Sequence, residues 1–241
     1  MRITFVTLFP EMYENFIHTS IIGRSIEQGK VQVDFVQIRD FALDKYRHVD
    51  DTPFGGGAGM VMKCQPVIDA LNSVRTPESY CMMMNPRGNV YTQKKARQLT
   101  QYDHLIFLCG HYEGIDARVE EYVDECLSIG DYVLTGGELA SMVIADSVIR
   151  LCQGVISNDS VEEESFDQEL LEYPQYTQPA VYDGHPVPEI LLSGHHENIR
   201  KWRLLQSLLK TREIRPDLFE KHQLTKEEKK LLDQWDDPEQ K

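Results

Sequence analysis

Apolar and polar positions alternate along the first 150 residues in two rhythms, one of strands and one of helices. The mostly apolar stretch Arg2 to Leu8 predicts a first strand, and Phe9-Pro10-Glu11-Met12 opens a helix with proline in its first turn. A second helix is predicted from Ser20 to Gln28, closed by Gly29, and the alternation from Val31 to Ile38 marks another strand. The rhythm continues with helix Pro66 to Val74, strand Tyr80 to Met84, turn Asn85-Pro86-Arg87-Gly88, helix Thr92 to Thr100 and strand Leu105 to Cys109. Helix Ile115 to Asp124 and a strand over Glu125 to Ile129 follow. Such alternation predicts a parallel α/β sheet, whose ligands sit outside the carboxyl ends of the strands.

Two glycine-punctuated loops lie on that edge. The run from Leu105 opens into Gly110-His111-Tyr112-Glu113-Gly114-Ile115-Asp116, and Ser128-Ile129-Gly130-Asp131-Tyr132-Val133-Leu134-Thr135-Gly136-Gly137-Glu138 is the second. Pro86-Arg87-Gly88 makes a third. No Lys or Arg lies between Cys109 and Ala117, or between Glu120 and Arg150, so neither long loop has the composition of a phosphate cradle. Glu113, Asp116, Asp131 and Glu138 predict a cationic or neutral ligand instead. The stretch Arg39 to Met62 has no period, and a loop of that length in a compact domain points to function. Its Gly55, Gly57 and Gly59 lack the further glycine and the preceding buried strand of a dinucleotide fingerprint, and no P-loop motif occurs.

The segment Leu139 to Cys152 is apolar nearly all round, with Asp146 and Arg150 one helical turn apart. A helix without a polar side is buried, here against another subunit. The acidic segment Ser157 to Glu172 reads as a linker, and Tyr173 to Pro179 as extended chain. A basic helix is predicted from Glu197 to Thr211, with Ile199, Trp202, Leu205 and Leu209 as its apolar stripe, and a last helix starts at Thr225 with Glu228 completing a capping box. The predicted division is thus an α/β domain over 1–156, a linker over 157–172 and a small all-helical domain over 173–241.

With 241 residues and 41% hydrophobic content, the chain can bury a substantial core. No run of 18 apolar residues exists, and the first residues read as a strand instead of a leader, which predicts a soluble protein. Five widely spaced cysteines without a C-x-x-C pair indicate neither a disulfide framework nor a zinc site, and a cytoplasmic location follows. The net charge of −14 argues against a polyanionic partner. Its distribution does not: Ile199 to Arg215 holds Arg200, Lys201, Arg203, Lys210, Arg212 and Arg215 against the single acid Glu213, which predicts a local basic face.

Several of these segments, taken in order, resemble the TrmD family of bacterial tRNA (guanine-N1)-methyltransferases in the SPOUT superfamily. They are Leu8-Phe9-Pro10-Glu11-Met12, Val49-Asp50-Asp51 with Gly55-Gly56-Gly57-Ala58-Gly59-Met60, Cys109 to Asp116, Ser128 to Leu139, Tyr173-Pro174-Gln175-Tyr176-Thr177, and Ser193-Gly194-His195-His196 with Arg200-Lys201-Trp202-Arg203. The resemblance implies a parallel sheet whose carboxyl-terminal part is threaded into a trefoil knot, a topology that ordinary connection rules nearly exclude. It implies S-adenosyl-L-methionine held by Met84, Pro86, Arg87, Gly110, Tyr112, Glu113, Ile129, Gly130, Asp131, Tyr132, Val133, Leu134, Gly136 and Gly137. A homodimer with shared active sites, and a reaction assisted by magnesium without a dedicated protein site, are also implied.

The implied product is tRNA methylated at N1 of guanosine 37, just 3′ of the anticodon. Glu164, followed by Ser165 and Phe166, stands where the family has its catalytic Asp, and Arg150 where it has the catalytic arginine. Asp50, Gly55, Gly59, Ser165, His195, Lys201 and Arg203 are the implied tRNA contacts. Three positions depart from the family pattern: Glu164 for Asp, Gln178 in Thr177-Gln178-Pro179 for Arg, and the charged Arg87. The alternative is a catalytically impaired tRNA-binding paralogue.

Overall fold

Two of the buried strands hold continuous apolar runs, Tyr80 to Met84 and Leu105 to Leu108, which is what a sheet covered on both faces requires. The computed structural model describes residues 1–156, 166 and 170–236, in two compact units, Met1–Asn158 and Asp159–Lys241. The first unit has strands β1 (Arg2–Thr7), β2 (Gln32–Gln37), β3 (Asp50–Asp51), β4 (Val61–Met62), β5 (Ser79–Val90), β6 (His104–Leu108) and β7 (Glu125–Ser128). Its helices are α1 (Glu14–His18), α2 (Ser20–Glu27), α3 (Cys64–Asn72), α4 (Gln93–Leu99) and α5 (Glu138–Ile149). The main sheet runs β2-β1-β6-β5-β7 with every neighbouring pair parallel. All five strands therefore present their carboxyl ends to one edge. Central β1 and β6 are almost fully buried, whereas edge strand β2 keeps the polar alternation seen in its sequence.

Alternate side chains of each strand enter two separate cores. One holds Phe5, Met82 and Phe107 with Ala140, Ile144 and Val148 of α5. The other holds Val6, Cys81, Met83, Ile106 and Leu108 with Val67 and Leu71 of α3. Helix α5 buries Ala140, Ile144, Ala145, Val148 and Ile149 but leaves Leu139 and Val143 about half exposed. Its apolar wrapping is thus only partly used within the chain. The five cysteines are free, and burial pushes the thiols of Cys81 and Cys109 up to about 12.

Several boundaries differ from the sequence expectation. The turn Asn85 to Gly88 lies inside a longer strand: β5 extends to Val90 with an irregularity between Met84 and Asn89, because both halves pair with β7. The segment expected as helix Ile115 to Asp124 is a 3-10 turn, Ala117–Tyr122, capped by the Asp116 carboxylate accepting from the Arg118 amide at 3.0 Å. The aperiodic stretch from Arg39 is broken by the two-stranded β3–β4 ribbon. Helix α5 stops at Ile149, three residues early.

His104 is buried where Thr4 Oγ1 meets its Nε2 at 2.9 Å. Burial, with Arg2 nearby, holds its pKa below the ordinary 6.5. The unfolded chain then binds a proton that the native ring resists, so this contribution to stability is complete above pH 6.5 and is lost as pH falls below it. Replacing His104 by Gln is expected to flatten the decline in melting temperature between about pH 6.5 and about pH 5, read by thermal unfolding across that range.

The second unit holds α6 (Glu189–Leu192), α7 (His196–Ile214), α8 (Pro216–Phe219) and α9 (Lys226–Asp236), and residues of α7, α8 and α9 build its core around Leu170, Leu208 and Leu232. The fully buried positions on α7 are Leu208 and Thr211; Leu205 and Leu209 of the expected stripe pack against the same core, and the packed face extends to Leu204 and Ser207 while Ile199 and Trp202 are not among its members. The predicted capping box is present: the Thr225 amide donates to Glu228 Oε2 at 2.6 Å and the Glu228 amide to Thr225 Oγ1 at 3.2 Å. This unit is not purely helical. It carries a short antiparallel ribbon of β8 (Val181–Tyr182) and β9 (His185–Pro186).

Candidate active site

Parallel strands that all end on one edge leave their following loops to meet there, and in the first unit those loops enclose a cleft of about 1200 Å³. Its walls come from residues 83–87 of β5, 110–118 after β6, 127–130 and 132–137 after β7, Ala140 of α5, and residues 51–54 and 61–64 flanking the glycine-rich loop. Backbone hydrogen bonds lace these segments together. The Gly137 amide donates to the Gly110 carbonyl at 2.8 Å, and His111 bridges Gly136 as an isolated antiparallel pair. The Glu113 amide donates to the Met60 carbonyl at 3.0 Å and the Met62 amide to the Gly114 carbonyl at 2.9 Å. The Asp116 amide closes the set on the Met62 carbonyl at 3.0 Å.

Glycine is required where these segments touch. A Cβ on Gly137 would lie 2.9 Å from Cys109 Cα and 3.1 Å from the Gly110 nitrogen. Gly130 adopts φ +147, and a Cβ there would meet the Tyr132 ring at 2.7 Å. The loops that wall the cleft are consequently held in direct main-chain contact with one another.

The expected donor-site residues converge on this cleft, with one exception. Met84, Pro86, Arg87, Gly110, Tyr112, Glu113, Ile129, Gly130, Tyr132, Val133, Leu134, Gly136 and Gly137 line it; Asp131 does not. The uniformly acidic character expected of the loops is corrected by their pairing. Asp116 accepts from the Arg118 side chain at 2.7 and 2.9 Å, which holds its carboxyl well below the usual range. Glu138 is 1% exposed and points into the core. Glu113 is the loop acid left on the wall, its side chain packed against Gly59. Arg87 reaches outward to Glu120 at 3.1 Å.

The chain-wide comparisons bear on what such a cleft serves. The family model described as tRNA (Guanine-1)-methyltransferase TrmD matches residues 1–221. The chain belongs to this family. A Clostridium botulinum (strain Kyoto / Type A2) protein named tRNA (guanine-N(1)-)-methyltransferase is 54% identical over 96% of this chain and 97% of its own length. A Clostridium perfringens protein of the same name is 53% identical over 96% of this chain and 99% of its own.

The remaining candidate positions of this TrmD-family chain are dispersed. Asp50 is half-buried on β3, beside the wall residue Asp51. Gly55 and Gly59 hold left-handed φ of 85 and 77 in the loop that follows. Arg150 ends α5, its amide donating to the Asp146 carbonyl at 3.1 Å, and it is not on the cleft wall. Glu164 and Ser165 lie outside the described residues.

In the second unit His195 caps α7, and Lys201 lies 3.3 Å from Glu197. Arg200 pairs with Glu197 and Glu227, Lys210 with Glu213, Arg212 with Asp236 and Arg215 with Asp217. The basic face is therefore largely balanced by neighbouring acids. Arg203 instead lies over the Tyr173 ring at 4.8 Å. Sequence reasoning missed the wall residues Pro53, Phe54, Val61 and Cys64, because their place depends on the β3–β4 ribbon reaching the loop after β6.

Proposed function

We propose that this chain transfers the methyl group of S-adenosyl-L-methionine to N1 of guanine in tRNA, the activity named for its relatives. The observation that carries the proposal is the convergence of the loops after β5, β6 and β7, in a chain of this family, on one cleft. When bound, S-adenosyl-L-methionine supplies an electrophilic methyl on a sulfonium. Gly110, Gly130, Gly136 and Gly137 let the loops pack closely against Ile115, Tyr132, His111 and Cys109 around that donor, and Glu113 places a carboxylate on the wall nearest Gly59.

Guanine N1 carries a proton and is a poor nucleophile at neutral pH. Methylation there needs a base to take that proton and a cation or donor near O6 to offset the developing charge. In this proposal Glu164 is the base and Arg150 the cation, and the target is guanosine 37. Asp50, Gly55, Gly59, Ser165, His195, Lys201 and Arg203 hold the tRNA. Magnesium assists without a dedicated protein site, and the enzyme works in the cytoplasm. The knotted threading belongs to the same reading, supported by the seating of Gly137 against Cys109, Met84 and Gly110.

Helix α5 begins beside the cleft and Arg150 follows its last residue, 12 residues on, a span of roughly 18 Å. That separation supports a dimer in which one protomer's Arg150 serves its partner's cleft, and the exposed Leu139 and Val143 offer an apolar contact. Mixing inactive Arg150→Ala with inactive Gly137→Ala protein is then expected to restore about a quarter of wild-type methyl transfer. Half the dimers would be mixed, each with one intact site. No recovery would place Arg150 in its own chain's site. The activity itself is tested with labelled donor and unmodified tRNA. Label recovered in 1-methylguanosine at position 37 is the expected outcome, and tRNA binding without transfer overturns it.

A further inference from the structure

A carboxylate taken out of water costs free energy unless its surroundings repay it, and Glu138, only 1% exposed, is the clearest case in the first unit. Its neighbours come from the end of β1 and from the loops after β6 and β7. Thr7 Oγ1, at the carboxyl end of β1, donates to Glu138 Oε1 at 2.7 Å while accepting from the Phe9 amide at 3.0 Å. The other oxygen, Oε2, faces His111 Nδ1 at 3.8 Å, in the loop after β6. That nitrogen is buried and makes no hydrogen bond among the described residues. The His111 ring packs on Phe9, with centroids 4.8 Å apart.

Gly136 threads the gap between the two groups. A Cβ on it would lie 2.4 Å from Glu138 Oε2 and 2.5 Å from His111 Nδ1. One carboxylate thus touches the end of β1, the loop after β6 and the loop after β7. Glu138 itself is not on the cleft wall, whereas Gly110, His111, Gly136 and Gly137 are.

We infer that Glu138, anchored by Thr7, is a positioning residue that sets where Gly136 and His111 cross and so shapes the donor end of the cleft. This rests on the reading of the cleft as the methyl-donor site. The first turn of α5 suits a negative charge, because unpaired amides and the helix dipole concentrate there. A neutral amide would fill the same space but would hold Thr7 less strongly.

The test uses the full-length enzyme with S-adenosyl-L-methionine and tRNA. Glu138→Gln keeps size and an acceptor, Thr7→Val removes only the hydroxyl, and Thr7→Ser restores it. Glu138→Gln and Thr7→Val are each expected to raise the donor KM and calorimetric Kd about tenfold, with kcat and the tRNA KM within about twofold. Thr7→Ser should recover wild-type donor affinity. The double variant should lose little more than either single one, because both break the same link. Unchanged donor affinity in folded Thr7→Val and Glu138→Gln, additive losses, or losses confined to kcat or the tRNA KM would overturn the inference. Gly137→Ala separates the two levels of the argument. If it too leaves donor affinity unchanged, the reading of the cleft fails; if it weakens the donor while the Thr7 and Glu138 variants do not, only the positioning role fails.

Discussion

Gly137→Ala is expected to lower affinity for S-adenosyl-L-methionine by about 100-fold in a protein that still folds. The residue has φ −81 and ψ −9, so alanine meets no conformational objection. The obstacle is contact. Its new methyl would come within 2.9 Å of Cys109 Cα, 3.0 Å of Met84 Cβ and 3.1 Å of the Gly110 nitrogen, and main-chain atoms cannot swing aside as a side-chain tip can. The start of α5 must then move away from the end of β6, stretching the 2.8 Å hydrogen bond from Gly137 to Gly110. Overpacking of this kind costs about 1–3 kcal/mol of stability, while displacement of a binding loop by ~1 Å can cost about 100-fold in function. Isothermal calorimetry with a parallel melting curve checks both. Gly29→Ala is the control: its φ is +67 with nothing within 4 Å, so it should lose stability through backbone strain and leave donor affinity intact.

Glu164→Gln is the second large effect expected, a fall of at least about 100-fold in single-turnover methyl transfer with donor affinity little changed. The amide cannot take the N1 proton, yet it preserves shape. Glu164→Asp is expected to keep or improve the rate, because Asp is the family's residue, and Glu163→Gln to be nearly silent. One methylene shifts a carboxylate by about 1.5 Å, and Glu164→Asp removes that methylene. Rapid-quench measurement with saturating donor and tRNA separates these outcomes. Wild-type transfer by Glu164→Gln would pass the role to another acceptor.

Much of both units was legible because their signals are local. The apolar runs at β1 and β6, the prolines and glycines that bound the helices, and the Thr225–Glu228 capping box each depend on residues within a few positions of one another. The misreadings were non-local. Asn85 to Gly88 reads as a turn by composition, but pairing with β7 draws the flanking residues into one strand. Glu138 reads as a loop acid, but the carboxyl end of β1, 131 positions earlier, supplies the hydroxyl that takes it into the core. The cations of α7 read as an open basic face, yet Glu227 and Asp236 on α9 come back to meet Arg200 and Arg212.

By itself the sequence determined the parallel α/β class, the edge on which the loops gather and the family to which the chain belongs. Alternation, glycine placement and motif order are properties of the chain read in one dimension. Only the tertiary structure decided which loop residues face the cleft, which acids are neutralised, and that Arg150 stands a helix length from the cleft loops of its own chain. Those features depend on distances between segments far apart in sequence, which are fixed when side chains pack into a single arrangement and not by any local preference.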